Sequence, residues 1–220
     1  RGGIYRFTVD VTKGNTKAVL TVEKVGKVDL PAPDIFFGND KMEVTDTDIY
    51  KSDQAFTQGQ MITVTGIDNL NEWWIDPDFF EKQSDGALKF LPINGDYRVT
   101  ANAVLKYFSV MALKDGKPAK LQDDGTGAIW AIGKGIGKPS VASSEVGWEP
   151  GKALCLAQVA PKKYQLTLKA GETLKTSGDP EVISFKFFHQ NDWGGEFGNY
   201  ANSILVEQLK LADSGNLEMQ

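Results

Sequence analysis

The chain has 220 residues, room for one or two domains. Its 24 basic against 29 acidic side chains give a net charge of −5, which argues against a nucleic-acid binder, and it holds no run of about 18 apolar residues and no basic-then-apolar leader. One cysteine, Cys155, excludes an intrachain disulfide and a cysteine zinc site, and one histidine, His189, excludes metal centres built on two or three histidines, so no metal or other cofactor is expected. The chain opens on Arg1 rather than Met, and a processed or excised fragment is therefore expected.

The elements read as β almost throughout. In Tyr5–Val11, Tyr5, Phe7, Val9 and Val11 alternate with Arg6, Thr8 and Asp10, the period of a half-buried strand. A turn at Lys13-Gly14-Asn15 and a second strand with Ala18, Leu20 and Val22 make residues 4–24 a hairpin. The pattern returns 92 positions on: Gly3, Tyr5, Arg6 and Thr8 align with Gly95, Tyr97, Arg98 and Thr100, and a strand again follows at Lys106–Met111. Asp76–Lys82 offers a short helix opened by Pro77.

The fold class expected is all-β, as tandem immunoglobulin-like β-sandwich modules. Residues 1–28 form the closing hairpin of a module, 33–115 a middle module and 126–220 a last module, with a Pro-x-Pro joint at 29–33 and a polar joint at 122–127. The last module has strands at 128–132, 153–159, 164–168 and 182–189, and a short turn or strand at 203–210. A closing Gly-x-Tyr-Arg-x-Thr hairpin is missing after Leu217. Two readings follow: the fragment ends too early, or residues 1–25 complete the last module, since an open edge would aggregate.

Gly133–Gly147 matches neither the phosphate-loop nor the dinucleotide pattern, because Pro139 follows Gly137-Lys138 and no helix pattern succeeds it. It reads as a flexible surface loop. The pairs Asp46/Asp48, Asp76/Asp78 and Asp123/Asp124 lack the spacing of a calcium loop and read as turn-forming acids. Cys155, inside Ala153–Ala157, reads as a buried small hydrophobe.

The five tryptophans carry more. Trp130 sits in an apolar strand, but Trp73, Trp74, Trp148 and Trp193 stand among Gly, Asn, Asp and Glu, as loop residues do. Exposed indoles beside amides and acids suit a pyranose, whose C–H face stacks on the ring. The opposing reading is that each ring folds back over the sandwich end. In Ser184–His189, Phe185 and Phe187 are expected to face the core, with Lys186 and Phe188 on the other side. His189 reads as structural.

Ile129-Trp130-Ala131-Ile132-Gly133, Gly147-Trp148, Phe185-Lys186-Phe187-Phe188 and Asp192-Trp193-Gly194-Gly195 resemble the glycan-binding modules of SusE/SusF-like lipoproteins, and Gly3–Asp10 and Gly95–Asn102 resemble their closing strand. The resemblance implies a non-catalytic protein of the outer-membrane cell surface, held by a lipid anchor outside this sequence. Its implied partners are an oligosaccharide or polysaccharide and an outer-membrane glycan importer. Trp148 and Trp193 would stack sugar rings and Lys186 would donate to a hydroxyl; Phe188, Glu196, Trp73 and Trp74 complete the expected carbohydrate-binding set. The usual Gly-Asp-Ala-Thr after the first strand is replaced by Gly133-Lys134-Gly135-Ile136-Gly137. The rival readings are a structural or adhesive sandwich without a sugar site, and a glycoside hydrolase using two of Glu145, Glu149, Asp192 and Glu196.

Overall fold

The computed structural model describes residues 3–11, 14, 17–27, 32–198, 200 and 207–219. The chain is all-β and of sandwich type, and its strands pair antiparallel. Of the elements expected, most of the turn at 13–15, positions 29–31 of the first joint and residues 203–206 lie outside the described residues.

Strands β1 (Gly3–Asp10) and β2 (Val19–Lys27) form a sheet of their own. Pairing Phe7 with Val22 and Val9 with Leu20 gathers an apolar face, while Arg6 opposite Glu23 and Thr8 opposite Thr21 make a polar one. Arg6 Nη1 donates to Glu23 Oε1 at 2.8 Å. The apolar face stands open: Phe7 is 66% and Val9 58% exposed.

The middle module holds β3 (Phe36–Phe37), β4 (Asp40–Lys41), β5 (Glu43–Asp46), β6 (Ile49–Phe56), β7 (Met61–Ile62), β8 (Val64–Thr65), β9 (Phe80–Lys82), β10 (Leu88–Phe90), β11 (Gly95–Asn102), β12 (Tyr107–Lys114) and β13 (Lys117–Pro118). One sheet runs β13-β12-β11-β6-β5; two small sheets run β7-β10-β9 and β4-β3-β8. Tyr97, Val99 and Ala101 alternate inward from β11 and are buried, and Arg98 points outward to a bidentate pair with Asp53 of β6, both bonds 2.7 Å. The Gly-x-Tyr-Arg-x-Thr pattern thus opens two hairpins, one covered and one bare. Between the sheets, Phe37 meets Phe108 at 5.2 Å and Phe56 meets Phe90 at 4.9 Å, so large rings supply most of this core. Asp76–Phe79 is a turn rather than the expected helix: Phe79 and Phe80 both donate to the Asp76 carbonyl, and β9 follows at once.

The last module holds β14 (Trp130–Gly137), α1 (Val141–Ser144), β15 (Glu145–Gly147), β16 (Leu154–Cys155), β17 (Ala157–Ala160), β18 (Lys163–Gln165), β19 (Ile183–Phe188), β20 (Leu209–Leu211) and β21 (Leu217–Met219). Its main sheet runs β15-β14-β19-β21-β20, with β16 also on β14. The edge left open in sequence for residues 1–25 is taken by 209–219: Ile183 pairs with Met219, and Leu217 is buried opposite Phe185. Among the described residues, β1 and β2 pair only with each other.

The expected loop from Gly133 is instead the buried second half of β14. A Cβ on Gly133 would stand 2.3 Å from Phe185 Cα, and one on Gly137 2.5 Å from the Ser144 carbonyl oxygen. Glycine is required there because neighbouring backbones close on the strand from both sides.

The two modules share one continuous core. Trp130 Nε1 donates to the Ala119 carbonyl at 3.0 Å, Ala112 N to Cys155 Sγ at 3.5 Å, Leu121 N to the His189 carbonyl at 2.9 Å and Ile93 N to the Gln158 carbonyl at 2.8 Å.

Candidate functional site

The segment after β19 doubles back on itself. His189 N donates to the Gly195 carbonyl and Phe197 N to the Phe187 carbonyl, each at 2.9 Å, so residues 190–194 form a short loop at the end of the sheet. Asp192 Oδ1 accepts from Trp193 N at 2.7 Å, and Gln190 Nε2 donates to the Trp193 carbonyl at 2.6 Å. A Cβ on Gly195 would lie 2.5 Å from His189 Nε2, so the imidazole packs directly on the glycine backbone. That places His189 in a structural role.

This scaffold holds Trp193 outward, with 52% of its surface exposed. Its ring lies near-parallel to that of Trp148, centroids 6.4 Å apart and planes 22° apart. Trp148 follows β15, is half-buried against the core, and is succeeded by a surface ion pair between Glu149 and Lys152 at 3.0 Å. Phe188 meets Trp193 edge-on at 6.1 Å. Phe188 stands opposite Trp130 and is only 2% exposed. It therefore supports Trp193 from beneath and offers no face to a ligand, contrary to expectation. Its register does share a face with Lys186, and on that face Trp130 of β14 stands beside Phe188 and Ile132 beside Lys186, both β14 side chains fully buried. Phe187, expected in the core, is half-buried.

The seven expected residues separate. Trp148, Trp193, Phe188 and Glu196 come together, Glu196 through an antiparallel bridge to Phe188 with its side chain exposed. Lys186 is half-buried, its Cε 3.8 Å from where a Cβ of Gly215 would stand. Trp73 is a core residue, 6% exposed and stacked on Phe108 at 4.7 Å. Trp74, one position on, lines a cavity between the modules. Its backbone N–H donates to the Lys106 carbonyl at 2.8 Å, which fixes it beside Tyr107.

Asp76, Asp78 and Lys138 form a buried cluster that their sequence context did not reveal. Lys138 Nζ donates to both Asp76 oxygens at 2.9 Å and to Asp78 Oδ2 at 2.8 Å. Asp78 also accepts from Thr167 N and Oγ1, both at 2.6 Å, and from Gln165 Nε2 at 2.8 Å. Burial pushes the Asp76 carboxyl up, and Lys138 does not fully offset it. At Asp78 burial also pushes up, but Lys138 and the Thr167 bonds outweigh it and hold the carboxyl below its ordinary value. The only signals in sequence were the Asp-x-Asp spacing and a lysine before a proline. Burial pushes the Cys155 thiol up to about 12, so it stays protonated and unreactive. Among the described residues no three His, Cys, Asp or Glu side chains converge as a metal site would need.

Residues 15–121 match the model of a domain of unknown function, DUF5125, and residues 124–220 that of another, DUF5121. The break between them falls between β13 and β14. No curated protein matches the chain, and no solved structure does.

Proposed function

We propose that the protein binds carbohydrate without cleaving it, and that Trp148 and Trp193 form the stacking surface. The observation that carries this reading is the exposed Trp193 ring held near-parallel to Trp148 on a loop pinned by Asp192, Gln190 and Gly195. A large apolar ring kept in water by specific hydrogen bonds is poorly explained by packing. It presents a flat face to the C–H side of a sugar, with Glu196 exposed nearby for hydroxyls.

Binding is favoured over hydrolysis by where the acids are engaged. Glu149 pairs with Lys152, Asp192 caps the Trp193 N–H, and Glu145 accepts from Gly135 N and Ser177 Oγ. The resemblance to SusE/SusF-like modules supports a place at the outer-membrane cell surface, lipid-anchored, in a glycan-uptake system with its importer. The test is titration of the protein with a panel of neutral and charged oligosaccharides, followed by tryptophan fluorescence. A saturable change with one glycan class, lost in Trp193→Ala, supports the reading; silence across the panel from a folded protein overturns it and favours a packed, structural role for the rings.

A further inference from the structure

Trp74 does not join the Trp148–Trp193 pair. It lines a cavity of about 590 Å³ between the two modules, with Tyr107 and Met111 from the middle module facing Ser143, Glu145 and Lys152 from the last. That volume is within the range of small-molecule sites, which are frequent at domain interfaces. The walls are fixed before any ligand arrives. Asp76 and Lys138 lie at the cavity and tie one module to the other, and the Ala112–Cys155 and Trp130–Ala119 bonds brace the same interface.

The charge state of the lining indicates the ligand. Asp76 and Lys138 satisfy each other, Glu145 is held by Gly135 N and Ser177, and Lys152 pairs with Glu149. No buried lining charge is left unpaired to select a phosphate, a carboxylate or an amine, and Lys152, which is exposed, shares its charge with Glu149. What remains for recognition is two half-buried aromatic rings, Trp74 and Tyr107, and the hydroxyls of Tyr107, Ser109 and Ser143. Rings for an apolar face and hydroxyls for polar edges describe an uncharged, hydroxyl-rich ring.

We infer that this inter-module cleft is a second saccharide site, specific for neutral sugar and built on Trp74 and Tyr107. The inference rests on the carbohydrate-binding reading and adds a site to it.

The five indole N–H groups give separate reporters for the test. Wild-type protein is titrated with maltohexaose, cellohexaose, mannohexaose and xylohexaose, and the indole signals are followed by NMR alongside calorimetry. For the sugar that binds, the Trp74 signal is expected to shift in the wild type and in Trp193→Ala. Affinity at the cleft should fall about tenfold in Trp74→Ala. Ala142→Trp provides a control for folding, because Ala142 is exposed on α1 and a large side chain there fills the cleft mouth without entering the core; it should abolish the Trp74 shift. If Trp148 and Trp193 shift while Trp74 stays still, and Ala142→Trp binds as wild type, the cleft site is overturned and the loop site stands. If Trp74 alone shifts and Trp193→Ala binds as wild type, the loop site is overturned and the cleft stands. No shift with any of these neutral sugars overturns the cleft site and leaves the loop site to the charged glycans of the wider panel.

Discussion

The ammonium of Lys138 lies 2.9 Å from each carboxylate oxygen of Asp76, joining a turn of the middle module to the strand end of the last. Both side chains are almost fully buried, so this contact and its extension through Asp78 exist only while the modules are docked. A buried charge whose partner is removed is strongly destabilising, more so than the pair is stabilising.

Asp78→Ala is expected to lower stability by about 1–3 kcal/mol, since it removes the bonds from Thr167 and Gln165 and leaves Lys138 with Asp76 alone. Urea denaturation followed at two wavelengths should show the single transition of the wild type become weaker and separate into two as the modules uncouple. An unchanged midpoint would show that the cluster does not hold the modules together.

Stability should also fall in acid. The Arg98 hydrogen bonds hold the Asp53 carboxyl below its ordinary 3.8, against a smaller opposing effect of burial. A carboxyl lowered in the folded state contributes fully above its unfolded value and loses that contribution as pH drops through the folded value. The urea midpoint should therefore decline below about pH 4, and Asp53→Asn should be less stable than wild type at pH 7 but flatter with pH in that window. A variant whose midpoint parallels the wild type at every pH would exclude this pair as a contributor.

A buried and an exposed tryptophan should behave oppositely. Trp73→Ala removes a buried ring stacked on Phe108 and should cost about 3–5 kcal/mol. Trp193→Ala removes a ring that is half in water; its melting temperature should stay near the wild type while saccharide affinity falls. A large fall in melting temperature for Trp193→Ala would place that ring among the structural residues.

Gly195→Ala should loosen the loop without touching the indole. The added methyl meets the His189 ring at about 2.5 Å in a backbone region that disfavours alanine, so the loop must shift. Reduced saccharide affinity with a small change in overall stability is the expected result, read by calorimetry and thermal melting.

Phe7→Lys should leave the melting temperature unchanged, because Phe7 touches no core, and should reduce self-association in light scattering, because it breaks the bare apolar face of the β1–β2 hairpin. Equal scattering from both proteins would show that the face does not drive association.

Local periodicity made the strands legible. Alternation in Tyr5–Val11 and in Gly95–Asn102 is visible in a few residues because successive strand side chains point to opposite faces, and β1, β11, β12 and β19 follow from it. The placement of Trp193 on a loop was legible for a similar reason: Asp, Gly and Gln around it have short-range turn chemistry. The residues that reach across the chain were not. Lys138 and Asp78 are 60 positions apart, and nothing near either marks the other. Gly133–Gly137 looked like a loop because glycine signals both freedom and close approach, and only the backbones of β19 and Ser144 beside it decide which. Trp73 and Trp74 share one sequence context, yet one is core and the other lines a cleft, since consecutive side chains diverge and what each meets is set by elements far away in the chain. The sequence determined the strands whose side chains alternate and which rings sit among turn residues; tertiary packing alone decided which of those rings is exposed and which glycines lie in a strand, because both depend on neighbours that local periodicity does not encode.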